Sequence, residues 1–269
     1  MRKLTIKFLF LMVNVWFALG WTPPSPITPP DTIPDAIARM NVGILGGSGT
    51  VTPGGSETLS FVAEQNGSGT GSSTTIATSG TLNVASGDTL IVGVGFDNPD
   101  GHTVTVTDGG SNSVTIENSG VAYGDGTNAG LVLGYILSAA ANGTATFTAT
   151  ISAGREYRSI SVMQFRKSGG TVSRVDLAAA TGTGTAAQSG NISTAAGSVV
   201  VWGASRDYAA SGVSNEQLGD VGATGIYESG TTDASFFYRI LSESMTDGHA
   251  QSTVGSSAWA CAIYAFKVE

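Results

Sequence analysis

Charged side chains are scarce in this 269-residue chain: Asp, Glu, Lys and Arg make up only 12% of it, and the acidic excess leaves a net charge of −8. Nucleic-acid binding depends on Lys and Arg neutralising phosphates, so this balance excludes a nucleic acid from the expected partners. Disordered chains are rich in charge and poor in apolar residues, whereas 41% of this chain is hydrophobic. The body of the chain should therefore fold around a core.

Cysteine and histidine are also rare. The single cysteine, Cys261, cannot form an internal disulfide, and its place in the apolar run 258–266 predicts a small buried hydrophobic residue. The two histidines, His102 and His249, each follow a glycine in a predicted turn, and the chain has no Gly-x-Ser-x-Gly nucleophile motif. We expect no Ser-His-Asp triad.

Paired carboxylates are missing as well. Glycoside hydrolysis on a jelly roll needs two carboxylates that face each other across a groove. The glutamates of this chain are scattered near predicted strand ends, and the strand pattern Glu-x-Asp-x-x-Glu is absent. The sequence therefore predicts no catalytic residue and a protein that is not an enzyme; a glycoside hydrolase-like jelly roll is kept as a third alternative.

Proline is nearly confined to one segment. Six of the eight prolines lie between residues 23 and 34, where they favour extended polyproline II, and residues 21–55 are predicted to form a Pro/Gly-rich spacer. Residues 1–20 have a basic start, an apolar stretch and the small residues Ala18 and Gly20, which is the layout of a secretory signal peptide. An uncleaved apolar anchor is the alternative, and only that anchor would contact a membrane.

The remaining residues, 56–269, have the pattern of strands rather than helices. Runs of β-branched and aromatic residues recur between clusters of Gly, Asn, Asp and Ser, without a sustained 3.6-residue period. The predicted strands are 58–63, 89–96, 103–107, 113–117, 130–137, 144–151, 158–165, 199–205, 223–228, 235–241 and 258–266. The expected fold is all-β, an antiparallel jelly-roll-like β-sandwich, with two tandem immunoglobulin-like sandwiches as the alternative.

The domain also repeats itself. Residues 79–82 match residues 189–192, and at the same spacing of 110 residues Gly93 matches Gly203 and Asp97 matches Asp207. Two further matches follow, of 136–138 with 240–242 and of 163–166 with 264–267. We predict pseudo-duplicated halves at about 74–168 and 184–269.

Four segments of the domain, 83–94, 103–112, 181–185 and 259–267, resemble the Gly/Ser/Thr-rich β-sandwich modules of secreted bacterial proteins and phage structural proteins. The resemblance extends over about residues 56–269. It implies a sandwich fold and an extracellular or virion setting, and it transfers no catalytic residue.

Candidate binding residues follow two buried strands at equivalent positions of the predicted halves. Loops on a rigid sandwich rim are where binding residues concentrate, and aromatic, acidic and basic side chains together suit a sugar. The candidate ligand-binding residues are Asp97, Asp100, His102, Arg206, Asp207 and Tyr208.

Calcium is the one cofactor that the sequence allows, because hard cations take oxygen ligands from loops. The same residue types are also the usual turn formers, so the sequence assigns no metal site outright. The weak candidates are Asp97, Asn98, Asp100, Asp125 and Asn128.

Two classes of function remain open. The first is a secreted or surface-displayed module that binds or adheres to a cell-surface or extracellular glycan or protein. The second is a structural subunit of a virion, coat or extracellular filament that self-assembles. The proline-rich spacer suits display, whereas low charge suits dense packing of subunits.

Overall fold

The computed structural model describes residues 57–97, 101–110, 112–117, 121–122, 129–206, 214–218, 221–222, 224–228 and 234–269. The predicted leader (1–20) and spacer (21–55) lie outside these residues. All described strand pairs are antiparallel, and the described residues form an all-β, sandwich-like fold within one compact unit, Pro53–Glu269. Within the described ranges the structure has no helix long and apolar enough to cross a membrane.

The first half of the domain contains ten strands among its described residues. They are β1 (Leu59–Gly69), β2 (Ser73–Ala77), β3 (Leu82–Val84), β4 (Thr89–Asp97), β5 (Val104–Thr107), β6 (Val121–Ala122), β7 (Ala129–Ile136), β8 (Gly143–Ala145), β9 (Thr148–Arg155) and β10 (Arg158–Lys167).

The second half contributes nine more described strands. They are β11 (Val172–Gln188), β12 (Ile192–Thr194), β13 (Val199–Arg206), β14 (Ser214–Leu218), β15 (Val221–Gly222), β16 (Thr224–Glu228), β17 (Ala234–Ile240), β18 (Met245–Gly248) and β19 (Ala250–Val268).

The two halves pair their strands in the same order. The large sheet of the first half runs β1-β10-β4-β7-β6, and that of the second runs β11-β19-β13-β17-β16, with β14 and β15 extending from the first residues of β19. The small pair β3-β8 has its counterpart in β12-β18. The equivalent strand pairings begin at Leu59 in the first half and at Val172 in the second. The halves were predicted to start at 74 and 184, and β1 and most of β11 precede those positions.

The described residues form three apolar cores, one of which joins the two halves. Each half encloses its own core, around Phe147 in the first and around Trp202 in the second. A third core lies between the two large sheets, where Phe165 of the first half packs in one cluster with Tyr264 and Phe266 of the second. Each such fully buried large side chain contributes roughly 1.5–3 kcal/mol. Separate cores are what two tandem sandwiches would have, and the shared core is what one sandwich built from two halves would have.

Glycines let the two large sheets approach closely in the shared core. A Cβ added at Gly93 of β4 would lie 2.1 Å from the ring of Phe236 on β17, and one at Gly203 of β13 would lie 2.8 Å from the same ring. The ring therefore fills space that a side chain at either central strand would occupy. Gly93 and Gly203, which match in the sequence, therefore both lie against this ring.

The outer strand of each half meets a tyrosine of the other half. Phe61 of β1 stacks on Tyr238 of β17, with ring centroids 4.8 Å apart. At the equivalent place Arg174 of β11 forms an ion pair with Glu117 at 2.6 Å, and the Tyr135 hydroxyl of β7 donates to the same carboxylate. The pKa of Tyr135 is raised above its ordinary value. Burial is the larger cause, and the hydrogen bond to Glu117 is the second. These contacts close the shared core on both sides.

The turn before each central strand has the same backbone shape. Gly87 and Gly197 have φ of 87° and 81°, which favours glycine. In the first half the buried carboxylate of Asp88 then accepts two hydrogen bonds from Arg166, at 2.8 and 3.0 Å, and one from the Ala85 N–H at 2.9 Å. Burial raises the pKa of Asp88, but these hydrogen bonds outweigh burial, and its pKa lies below the ordinary value.

Most predicted strands are confirmed, with three informative differences. Residues 113–117 make only isolated bridges, and 144–151 divides into β8 and β9, because the chain leaves β3 at Thr146 and pairs with β2 and β5 from Thr148 onward. Ala145, Phe147 and Ala149, at alternate positions of this stretch, are buried. The long strand β11 was not predicted, because its Ala, Gly and Thr residues lack a strong apolar pattern.

One of the sequence matches is out of register by one residue. Leu90 pairs with Ile136, whereas its counterpart Val200 pairs with Arg239 rather than Ile240. The connection that follows this strand is one residue longer in the first half. The match of 136–138 with 240–242 is therefore offset by one residue, while the order of the strands is the same in both halves.

Candidate binding site

Both central strands end on the same side of the domain. Gly95 of β4 lies against Ala234, which pairs with Ser205 of β13, just as Gly93 lies against Phe236, which pairs with Gly203. Residues 93 to 95 of β4 therefore run alongside residues 203 to 205 of β13 in the same order. The two strands run in one direction, and their last residues, Asp97 and Arg206, lie at one end of the domain, which we call the rim.

A matching row of three side chains crosses each half at the rim. In the first half Gly69, Arg158 and Phe96 are direct cross-strand partners on β1, β10 and β4. In the second half the corresponding row is Gly182, Trp259 and Arg206 on β11, β19 and β13. Each row thus contains one glycine, one arginine and one aromatic residue, with the arginine and the aromatic exchanged between the halves.

The glycines of these rows accommodate the large side chain beside them. A Cβ at Gly182 would lie 2.5 Å from the indole of Trp259, and one at Gly69 would lie 2.9 Å from the guanidinium of Arg158. Arg158, Trp259 and Arg206 are all buried, with 4%, 8% and 6% of their surface exposed. The rim therefore rests on a rigid layer of side chains.

Arg158 binds backbone carbonyls that belong to the rim of the first half. It donates to Gly71 at 2.7 Å, to Thr75 at 3.1 Å and to Arg155. Burial lowers the pKa of Arg158, and the charge of Asp97 opposes that shift. The buried Arg158 side chain therefore joins β2 to the turn between β9 and β10 and fixes the position of that turn.

His102 and Arg155 meet above this turn. The Arg155 guanidinium donates to Nε2 of His102, and Nδ1 of His102 lies 3.1 Å from the Ser152 hydroxyl. The same hydroxyl oxygen accepts the Thr103 N–H at 3.1 Å. Both His102 and Arg155 are partly exposed. A histidine that precedes β5 and a serine and an arginine of β9 therefore form one polar group at the rim.

Asp97 does not join this group through a hydrogen bond. Its backbone N–H donates to the Tyr157 carbonyl, and its carboxylate Oδ1 accepts the Tyr157 N–H, each at 3.2 Å. The carboxylate therefore fixes the end of β4 to the β9–β10 turn and is half-buried there.

The structure describes three of the six candidate ligand-binding residues, Asp97, His102 and Arg206, and all three lie at the rim. Asp100, Asp207 and Tyr208 lie outside the described residues. The same holds for the calcium candidates Asn98, Asp125 and Asn128. The described residues contain no group of three His, Cys, Asp or Glu side chains that could hold a metal ion.

Sequence reasoning missed Ser152 and Arg155 as site residues, and it missed the supporting role of Arg158. Arg155 and His102 are 53 positions apart, and no motif connects them. A signal for Arg158 was nevertheless available, since an arginine at the start of an otherwise apolar strand needs buried acceptors.

One concave region lies away from the rim, near the end of β17. It is a shallow pocket of about 180 Å³ between Leu218, Leu241 and Met245, with Arg239 and Glu243 also in its lining. This volume is below the range typical of small-molecule sites.

No family model matches the chain, and none of the curated proteins matches it.

Proposed function

We propose that this protein is a non-catalytic binding module that engages a carbohydrate, on a cell surface or in the extracellular space, through the rim of its β-sandwich. The observation that carries the proposal is the common direction of β4 and β13, which brings the strand ends of both halves to one side of the domain. Binding residues concentrate in connections that a rigid scaffold supports.

The side chains described at the rim support a sugar as the ligand. Ser152 and Arg155 supply hydroxyl and guanidinium groups, His102 holds that guanidinium, and Asp97 adds a carboxylate oxygen. Polar groups of both hydrogen-bonding kinds are what sugar hydroxyls require, since each hydroxyl donates and accepts. Tyr208, on the chain directly after β13, is the aromatic residue that we expect to stack on a sugar ring.

The edges of the large sheets support a discrete module rather than a filament joined by strand pairing. Bulges interrupt β1 between Phe61 and Ala63 and β11 between Arg174 and Asp176. Bulges on edge strands hinder pairing with a second chain. A structural subunit of a virion, coat or filament would therefore have to assemble through other surfaces.

A glycan array and a calcium titration test the proposal. The wild type should bind a defined set of glycans, and the double variant Asp207→Ala with Tyr208→Ala should bind them at least about tenfold more weakly. Glu243→Ala, in the pocket near β17, is the matched control and should bind as the wild type does.

Three results would contradict the proposal. Equal binding by the wild type and the double variant would remove the rim as the site. Loss of binding in Glu243→Ala alone would move the site to the pocket. Release of sugar from a bound glycan would show that the protein is an enzyme.

A further inference from the structure

Arg155 differs from the other arginines described in the first half. Arg166 pairs with Asp88 at 2.8 Å, and Arg158 is buried among carbonyl oxygens. Arg155 is partly exposed at the rim, and among the described residues no carboxylate forms an ion pair with it. Arg155 is therefore a solvent-facing cation at the rim of a chain with a net charge of −8.

The hydrogen bonds around Arg155 leave donors, and not acceptors, facing outward. Because Arg155 donates to Nε2 of His102, the imidazole proton is on Nδ1 and points to Ser152. The Ser152 oxygen accepts from that Nδ1–H and from the Thr103 N–H, so its own hydroxyl hydrogen is left to donate. The remaining guanidinium N–H groups of Arg155 are donors as well, whereas its Nε–H is buried and has no hydrogen-bond partner.

A site that offers several donors beside a guanidinium suits an oxyanion. Arginine binds planar carboxylate and tetrahedral sulfate or phosphate groups through parallel N–H bonds, and such charge-assisted bonds are about twice as strong as neutral ones. The backbone of Arg155 is held because its carbonyl accepts from the buried Arg158, and its guanidinium is held by the hydrogen bond to Nε2 of His102. A held arginine loses less side-chain freedom when it binds.

We propose that Arg155, oriented by His102, is an anion-binding residue of the rim, and that the ligand carries a carboxylate or sulfate group, as an acidic sugar does. This inference rests on the proposed carbohydrate-binding function and names the class of sugar. Ser152 supplies a second donor to the same anionic group.

The test is a titration of the full chain with glucuronate and, separately, with glucose, followed through the Nε–H resonance of Arg155 by NMR. Sulfate and acetate, titrated alone, show which anion the site prefers. The variant is Arg155→Gln. The matched control is Lys167→Gln, which removes the same charge at the opposite end of β10, roughly 30 Å away.

Glucuronate should bind the wild type and Lys167→Gln equally and should shift the Arg155 resonance. It should bind Arg155→Gln at least about tenfold more weakly, because a charge-assisted hydrogen bond is lost. Ser152→Ala should weaken glucuronate by a smaller factor than Arg155→Gln does.

Equal affinity of the wild type and Arg155→Gln for glucuronate, or no preference for glucuronate over glucose, would overturn the anion site. Weakening by Lys167→Gln to the same extent would show that only net charge matters and would also overturn it. Neutral glycans that still bind Arg155→Gln on the array would leave the proposed function standing and remove only the acidic class of sugar.

Discussion

The packing of Phe236 between Gly93 and Gly203 leads to a quantitative prediction about how the halves are joined. A methyl group at Gly93 would lie 2.1 Å from the ring of Phe236, which is fully buried. Overpacking of this kind typically costs about 1–3 kcal/mol. Gly93→Ala should therefore lower the free energy of unfolding in urea by about that amount, although alanine alone favours a strand slightly over glycine.

A double-mutant cycle separates this contact from other effects. Phe236→Ala alone should cost about 3–5 kcal/mol, because it leaves a cavity in the shared core. Adding Gly93→Ala in that background should cost almost nothing, so the two changes should couple by about 1–3 kcal/mol. Gly154→Ala is the control, since its Cβ would meet chiefly the hydroxyl oxygen of Ser72 at 2.8 Å. An unchanged urea midpoint for Gly93→Ala, or an equal cost in both backgrounds, would refute the stacking of the two large sheets.

Three further predictions concern the cores and one turn. Trp202→Ala should lower the free energy of unfolding by about 3–5 kcal/mol, and an unchanged urea midpoint would exclude its burial. Gly182→Ala should cost about 1–3 kcal/mol by displacing the indole of Trp259, which a change in tryptophan fluorescence would report; an unchanged spectrum and stability would contradict it. Because the pKa of Asp88 is lowered on folding, the stability it contributes is present above the ordinary value of 3.8 and is lost as pH falls below it. Urea midpoints between about pH 2 and about pH 6 should therefore fall less steeply for Asp88→Asn than for the wild type, and parallel curves would exclude this role.

The central strands could be predicted because the sequence marks them strongly. Strands β4 and β13 are apolar on both faces, and the structure buries each between two cores. Trp202 and Trp259 are buried, and the predicted burial of Cys261 is confirmed; burial raises the pKa of its thiol to about 12.

The long outer strand and the rim could not be predicted from local pattern. Strand β11 owes its conformation to pairing with β19 along fifteen residues rather than to its own Ala, Gly and Thr content. The contact between His102 and Arg155 depends on how β5 and β9 are paired, which no local motif encodes. Pseudo-duplication was visible in the sequence because glycines such as Gly87 and Gly197 are required by the same turn in both halves.

The mass of the purified full chain in solution, measured by light scattering over a range of concentrations, tests most directly whether the protein is a discrete binding module. A discrete binding module should give a single particle of at most 27.1 kDa at every concentration, with the rim of each molecule open to a ligand. Particles of many copies that persist on dilution would contradict it and would favour a structural subunit.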